Sequence, residues 1–261
     1  MTVHRLTVGA IADLVAASGS SRLPALLREL SSDDRAGVQA LVARTRARLA
    51  RERAEDLRVE RMFEMERDLH ARGIGLVAGV DEVGRGALAG PLTTCAVVLE
   101  PDVMIAGLND SKRLSPAARE TVALRVREVA IAWSVASVTS QEIDRLGIAP
   151  ATRLAWSRAV AGLGVAVDHV LVDGNDARVG VPATAVVGGD RIVACIAAAS
   201  VVAKVARDRH MEILALTLPG YGLEVNRGYG TAGHLAAIAS RGPSAEHRRS
   251  FAPCADQTRL L

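Results

Sequence analysis

Leu76-Val77-Ala78-Gly79-Val80 is the stretch on which the fold turns. It is a short apolar run of the length expected for a buried strand, and Asp81-Glu82 and the glycines at 84 and 86 follow it directly. Downstream, residues 93–99 and 132–138 predict a second and a third strand. Val170-Leu171-Val172 predicts a short strand ending at Asp173-Gly174, and residues 183–187 another, ending at Gly188-Gly189-Asp190. Ser140 is the expected N-cap of a helix interrupted at Gly147 and Pro150 and resuming to about residue 163. A long Ala/Val-rich helix is expected over about 193–216. Two paired strands, followed by strands separated by helices, give an α/β fold with a mixed sheet flanked by helices.

Upstream the texture changes. Ile11, Leu14 and Val15, then Leu23, Leu27 and Leu30, then Val38, Leu41 and Val42 have helical apolar spacing, and Pro24 suits the first turn of the second helix. From Ala43 to Arg72 the chain is dense in Arg and Glu. Its apolar anchors thin to Leu49, Leu57, Met62 and Phe63. Residues 1–72 are therefore expected to be a helical N-terminal extension, and residues 73–261 the main α/β domain. Acids nearly balance the arginines of the charged stretch. A charged helical arm packed on the main domain, or linking to it, is favoured over a nucleic-acid-binding one.

The composition excludes several classes. Across 261 residues with a formal charge of +3, Cys95, Cys195 and Cys254 lie far apart without CxxC spacing and read as reduced, buried thiols. The first residues lack the basic-then-apolar order of a signal peptide, and no apolar run is long enough to span a bilayer. The reading is a soluble, cytoplasmic monomer with no membrane contact. Only Lys112 and Lys204 are lysines among 32 basic residues, and the only tyrosines are Tyr221 and Tyr229.

Asp81, Glu82, Asp173 and Asp190 fall where apolar strands run out, the edge at which α/β sheets place ligands. Converging carboxylates repel one another and resist desolvation, and a hard divalent cation resolves both problems. Two such ions can activate a water and stabilise the leaving oxygen of a phosphodiester. Adjacent residues of a regular strand face opposite ways, so if both Asp81 and Glu82 are ligands the strand must bend or end there. The plainer alternative is turn and cap chemistry, with Asp190 as an N-cap.

Gly84-Arg85-Gly86 can bring backbone amides and a guanidinium to a phosphate, or simply turn between strands. Asn109-Asp110-Ser111-Lys112 either binds phosphate or caps a helix starting near Ser115-Pro116. Tyr229, in Gly228-Tyr229-Gly230-Thr231, packs on a sugar or base, or is buried with its hydroxyl satisfied. His210, His234 and His247 lack ligand spacing and read as structural or surface residues.

Taken in order, these blocks resemble the type 2 ribonucleases H, specifically the bacterial ribonuclease HII family, over about residues 73–254. They are Gly79-Val80-Asp81-Glu82-Val83-Gly84-Arg85-Gly86, Asn109-Asp110-Ser111-Lys112-Arg113-Leu114-Ser115, Val172-Asp173-Gly174-Asn175, Gly189-Asp190 with Ile196-Ala197-Ala198-Ala199-Ser200 and Ala203-Lys204-Val205, Gly228-Tyr229-Gly230-Thr231 and His247-Arg248-Arg249-Ser250-Phe251. The resemblance implies a ribonuclease H-like fold with a C-terminal helical portion. It implies metal ligands and catalytic acids at Asp81, Glu82, Asp173 and Asp190, holding two Mg²⁺ or Mn²⁺ ions bridged by Asp81.

It also implies hydrolysis of RNA–DNA hybrids, and nicking 5′ of single ribonucleotides in duplex DNA, with 5′-phosphate and 3′-hydroxyl products. Substrate contacts would come from Gly84, Arg85, Gly86, Lys112 and Tyr229, with Gly84-Arg85-Gly86 sensing the 2′-hydroxyl and Tyr229 the RNA-to-DNA junction. Ala87 and Asn226-Arg227 depart from the family's usual Pro and His-Lys. Residues 1–72 resemble the extension of longer bacterial members, most in Arg35-Ala36-Gly37-Val38-Gln39. The tail Gln257-Thr258-Arg259-Leu260-Leu261 resembles short peptides that dock on sliding clamps. Three alternatives are a non-catalytic nucleic-acid-binding protein on this fold, a hybrid-only ribonuclease of the HIII type, and another two-metal phosphodiesterase.

Overall fold

A computed structural model describes residues 3–101 and 103–255. The chain divides into two compact units, 1–58 and 59–261. The first contains α1 (Val8–Ala17), α2 (Leu23–Leu30) and most of α3 (Ala36–Met62). Ile11, Val15, Leu23, Leu27, Leu30, Val38 and Val42 close its small core, as their spacing predicts, and Leu26 joins them. The Arg35–Gln39 stretch is the clasp of this unit. Arg35 pairs with buried Asp33 at 2.6 Å and donates to the Leu6 carbonyl at 2.7 Å, while Gln39 donates to the Asp33 carbonyl at 2.6 Å.

The second unit runs through α4 (Glu64–Ala71), β1 (Val77–Val83), β2 (Leu92–Val98), α5 (Pro116–Val129), β3 (Ala132–Val138), α6 (Ser140–Leu146), α7 (Ile148–Ala161), β4 (His169–Asp173) and β5 (Ala183–Val186). It continues through α8 (Gly189–Ile192), α9 (Ala194–Thr217), α10 (Leu223–Asn226) and α11 (Ala232–Arg241). The five strands lie in the order β3-β2-β1-β4-β5. The β1–β2 and β2–β3 pairs are antiparallel, and the β1–β4 and β4–β5 pairs are parallel. This is the mixed sheet expected, with α10 and α11 as the C-terminal helical portion.

Alternation along the strands assigns the two faces. Val77, Cys95, Val97 and Leu171 pack with α9 and α5, whereas Ala78, Val80, Ala96, Val98, Val170 and Val172 pack with Trp156, Ala159 and Val160 of α7. The first ten residues of α9 are all buried, and small side chains let that helix approach the sheet. At Gly79 the approach is backbone on backbone, because a Cβ there would collide with the Cys195 carbonyl and the Ile196 amide. The N-cap residue of α9, Val193, offers no side-chain cap. Glu66 of α4 does the work instead, accepting the Cys195 N–H at 2.8 Å.

Three local expectations are corrected. β1 does not end at Asp81. Its antiparallel pairing continues through Asp81↔Cys95, Glu82↔Thr94 and Val83↔Thr93, and only the parallel pairing with β4 stops, at Val80↔Val172. The N-cap of α6 is Thr139, in a reciprocal capping box with Glu142, while the Ser140 hydroxyl donates to the carbonyls of Gly90 and Glu246. Gly147, at φ 78°, breaks α6 from α7, but Pro150 sits in the first turn of α7 and interrupts nothing. All three cysteines are reduced and buried. Among the described residues no helix is long and apolar enough to cross a membrane.

Gly79→Ala must push α9 off β1. Overpacking of this kind costs about 1–3 kcal/mol, which urea unfolding will read as a lowered midpoint. An unchanged midpoint would contradict the close approach.

Candidate active site

Pleating places Asp81 and Glu82 on opposite faces of β1, without the bend or strand end that shared ligation was expected to require. Asp81 faces α9. It is buried, and its carboxylate accepts the Glu82 amide at 2.7 Å and a hydrogen bond from Ser200. Burial, then the charges of Glu82 and Asp173, pushes its carboxyl well above the usual carboxylate range, against the pull of Ser200. Glu82 faces α7 and accepts the Trp156 indole N–H at 2.9 Å. Its pKa is raised by burial and restrained by that bond and by Arg85.

Asp173 ends β4 one position beyond the last β1–β4 pair and accepts the Gly189 amide at 2.7 Å. Asp190 is buried in the first turn of α8 and caps neither α8 nor α9, which removes the N-cap alternative. Burial and the charges of Asp173 and Asp110 raise its pKa, and Lys112, 3.7 Å away, opposes them.

The structure thus brings all four acids to one end of the sheet. It does not make them a ready chelate: among the described residues no three acidic, His or Cys side chains stand close enough to hold one cation in common. Beside them opens a cleft of ≈ 280 Å³ lined by Glu82, Arg85, Thr152, Trp156, Asp173 and Asn175.

The other predicted residues fall around this end. Ser115, not the Asn109–Lys112 segment, caps α5. That segment instead reaches the acids, through Lys112 toward Asp190 and through the Ser111 hydroxyl, 3.1 Å from that of Ser200. Gly84 has φ 85°, and a Cβ there would strike the Arg207 guanidinium, whereas a Cβ on Gly86 would meet no atom of the chain. Tyr229 is part-exposed, with the Arg207 guanidinium 5.5 Å from its ring centre, so it is not the fully buried tyrosine of the alternative.

Sequence reasoning missed the two residues that hold this region together. Arg207 and Arg248 are both fully buried. Arg207 donates to the carbonyls of Pro91, Ala89 and Arg227 at 2.9–3.3 Å, and Arg248 to those of Gly84, Arg85 and Gly90 at 2.7–3.2 Å. Burial lowers both, Arg248 to about 10, and a guanidinium keeps its charge in a protein at neutral pH. The signal was available for Arg207, an arginine one turn beyond Ala203 on the buried side of an Ala/Val-rich helix. Ser200 and Trp156 carried no comparable mark.

Two family models match the chain, the ribonuclease HII model over residues 78–254 and the ribonuclease HII N-terminal domain model over residues 7–70. The chain belongs to the ribonuclease HII family. It is a ribonuclease H. Ribonuclease HII of Shouchella clausii is 45% identical over 235 residues, 90% of this chain and 91% of that one. That of Dechloromonas aromatica is 51% identical over 189 residues, 72% of this chain and 96% of its own. Among solved structures, ribonuclease H2 of Pyrococcus horikoshii is 25% identical with a TM-score of 0.62, covering 71% of this chain and 98% of that one. Two more distant ones share the fold: the PCNA–RNase HII complex of Archaeoglobus fulgidus (24% identical, TM-score 0.57, 68% of this chain and 95% of that one) and Bst-RNase HIII in complex with Mn²⁺ (20%, 0.54, 74% and 72%).

In this ribonuclease HII family member, a buried histidine pair supports Tyr229. The Ser244 amide donates to His247 Nδ1 at 3.0 Å, so the His247 proton lies on Nε2 and is donated to His234 Nε2 at 3.1 Å. His234 Nδ1–H then donates to the Tyr229 carbonyl at 2.9 Å. His210 is exposed, as expected for a surface residue.

Burial, then His234 and Arg249, lowers His247 to about 4, and burial lowers His234 too. Both are neutral in the fold, whereas unfolded histidines take up protons near pH 6.5. Their contribution to stability is complete above about 6.5 and is lost as pH falls toward about 4. Urea midpoints measured from pH 8 to 5 should therefore be flat and then decline below about 6.5. His247→Gln should reduce that decline, and an identical pH slope in the variant would refute the neutral pair.

Proposed function

We propose that the chain hydrolyses the RNA strand of RNA–DNA hybrids and nicks duplex DNA 5′ of single embedded ribonucleotides, leaving 5′-phosphate and 3′-hydroxyl ends. The observation that carries this reading is the meeting of four carboxylates with the Gly84-Arg85-Gly86 loop at one end of the sheet. The donor set suits hard divalent cations. It is all oxygen and partly buried, and the Lys112 ammonium near it is mostly exposed. Asp81, Glu82, Asp173 and Asp190 would hold two Mg²⁺ or Mn²⁺ ions. Bound there, they supply Lewis-acid activation of a water and stabilisation of the leaving oxygen. The Bst-RNase HIII solved in complex with Mn²⁺ supports the choice of metal.

The protein's own part is recognition and position. Arg248 holds the Gly84 and Arg85 carbonyls from behind, Arg207 packs against Gly84, and among the described residues nothing accepts the Arg85 and Gly86 amides. Those amides are available to a ribose 2′-hydroxyl, and the open space at Gly86 lets a sugar approach. Arg85 and Lys112 would neutralise phosphates. Tyr229, braced by the histidine pair, would pack on the sugar 3′ to the scissile bond. Residues 1–72 would be the helical extension of this catalytic portion, residues 1–58 of them forming the separate compact unit. The tail Gln257–Leu261 lies outside the described residues. A sliding-clamp contact through it is supported by its peptide pattern and by the archaeal complex with PCNA.

A labelled DNA duplex with one ribonucleotide, given Mg²⁺, Mn²⁺ or chelator, tests the reading. One metal-dependent nick is expected 5′ of the ribonucleotide, with none in an all-DNA duplex. Asp81→Asn should slow it by about 10³-fold, the several kcal/mol that a metal clamp contributes. Tyr229→Ala should lower the preference for the single ribonucleotide over a long hybrid by about 10-fold, the worth of one stacking contact. Cleavage of all-DNA duplex, or of long hybrids alone, would overturn the proposal.

A further inference from the structure

The division of the chain into units divides its charge. Residues 1–58 carry ten arginines against seven acids, and residues 59–261 carry 22 basic against 22 acidic residues. The formal +3 therefore lies wholly in the N-terminal unit. Within that unit it is concentrated further. Arg44, Arg46, Arg48 and Arg51 occur on α3 with no acid between Ala36 and Arg51, because the acids that balance the charged stretch begin only at Glu52.

The helix sorts these arginines. Arg46 is turned back into the unit, donating to the Ser31 hydroxyl at 2.6 Å and the Leu27 carbonyl at 3.4 Å. Arg44, Arg48 and Arg51, at positions i, i+4 and i+7, share the other flank, where with Thr45 and Ala47 they line an open surface depression. All three are exposed. Arg48 shares its guanidinium with Glu52, an exposed pair of little worth, and among the described residues Arg44 and Arg51 have no acidic partner.

We propose that this flank of α3 is a second, sequence-independent binding surface for the phosphate backbone of a nucleic-acid duplex. The spacing fits. Residues 44 to 51 span about 10 Å of helix, and one strand of duplex DNA presents a phosphate every ~3.4 Å along its axis. Three guanidiniums thus meet about three successive phosphates. Guanidinium also suits phosphate better than ammonium does, being planar and forked. Such a surface adds affinity without reading sequence, as an enzyme that must find rare sites in long duplexes requires.

The test is the salt dependence of binding to a fluorescent all-DNA duplex by the full-length protein, a readout that needs no cleavage. Each phosphate contact contributes about −0.9 to the slope of log K against log [salt]. Arg44→Gln/Arg48→Gln/Arg51→Gln should therefore flatten the slope by about 2–3. The matched variant Arg5→Gln/Arg22→Gln/Arg28→Gln, with the same net charge, should leave the slope near that of wild type. Circular dichroism should show both variants equally helical. On a ribonucleotide-containing duplex the first variant should raise KM and spare kcat. This last readout rests on the proposed activity, and if no cleavage occurs at all the binding result still stands. An unchanged slope, or equal flattening in the matched variant, would overturn the proposal. So would an unchanged slope with lost binding to vesicles of anionic lipid, which would assign the surface to membranes.

Discussion

Helix α9 touches strand β1 backbone to backbone at Gly79, and the chemistry of the second unit hangs from that contact. The helix descends from its Glu66-capped start past the sheet, bringing Ser200 to Asp81 and, two turns later, Arg207 to the back of the Gly84 loop. A side chain at 79 would lift the helix and withdraw both groups. The small residues along its first ten positions follow from the same constraint, because anything bulkier would hold the helix away from β1.

The region is unusual in how it treats charge. Three of its four acids, Asp81, Glu82 and Asp173, are engaged by neutral donors, a hydroxyl, an indole and a backbone amide, while Asp190 faces the mostly exposed Lys112. Its two deepest cations face carbonyls rather than carboxylates. Pairing the buried guanidiniums with the acids would have relieved the burial cost of both, but would have neutralised the carboxylates. Spending the arginines on loop carbonyls leaves the carboxylates poised for a cation and makes the loop rigid.

Much of this was legible in the sequence, for identifiable reasons. The strands starting at Val77 and His169 announced themselves through apolar runs that meet Asp81 and Asp173, those over 92–98 and 132–138 through apolar and β-branched composition, and the break at Gly147 through a residue that tolerates positive φ. The convergence of the acids could be expected because parallel neighbours must end at a common edge. What could not be read was tertiary. The continuation of β1 through Asp81 and Glu82 depends on β2, which goes on pairing after β4 has stopped. The Glu66 cap joins residues 129 positions apart, and the cation–carbonyl contacts of Arg248 span 158 to 164 positions. Thr139 displaced Ser140 as cap because Ser140 was needed by two distant carbonyls.

The placement of Asp81 and Glu82 on opposite faces of one strand has a further consequence. Each carboxylate belongs to a different packing layer, Asp81 to the layer of α9 and Glu82 to the layer of α7. The site therefore acts as a coincidence detector for folding: it is assembled only where both layers have condensed on the sheet. A nascent or damaged chain with one layer melted would keep part of its helix and sheet and yet lack a complete set of acids. Such a chain would fail to cut rather than cut promiscuously, a safe way for a ribonuclease H to fail.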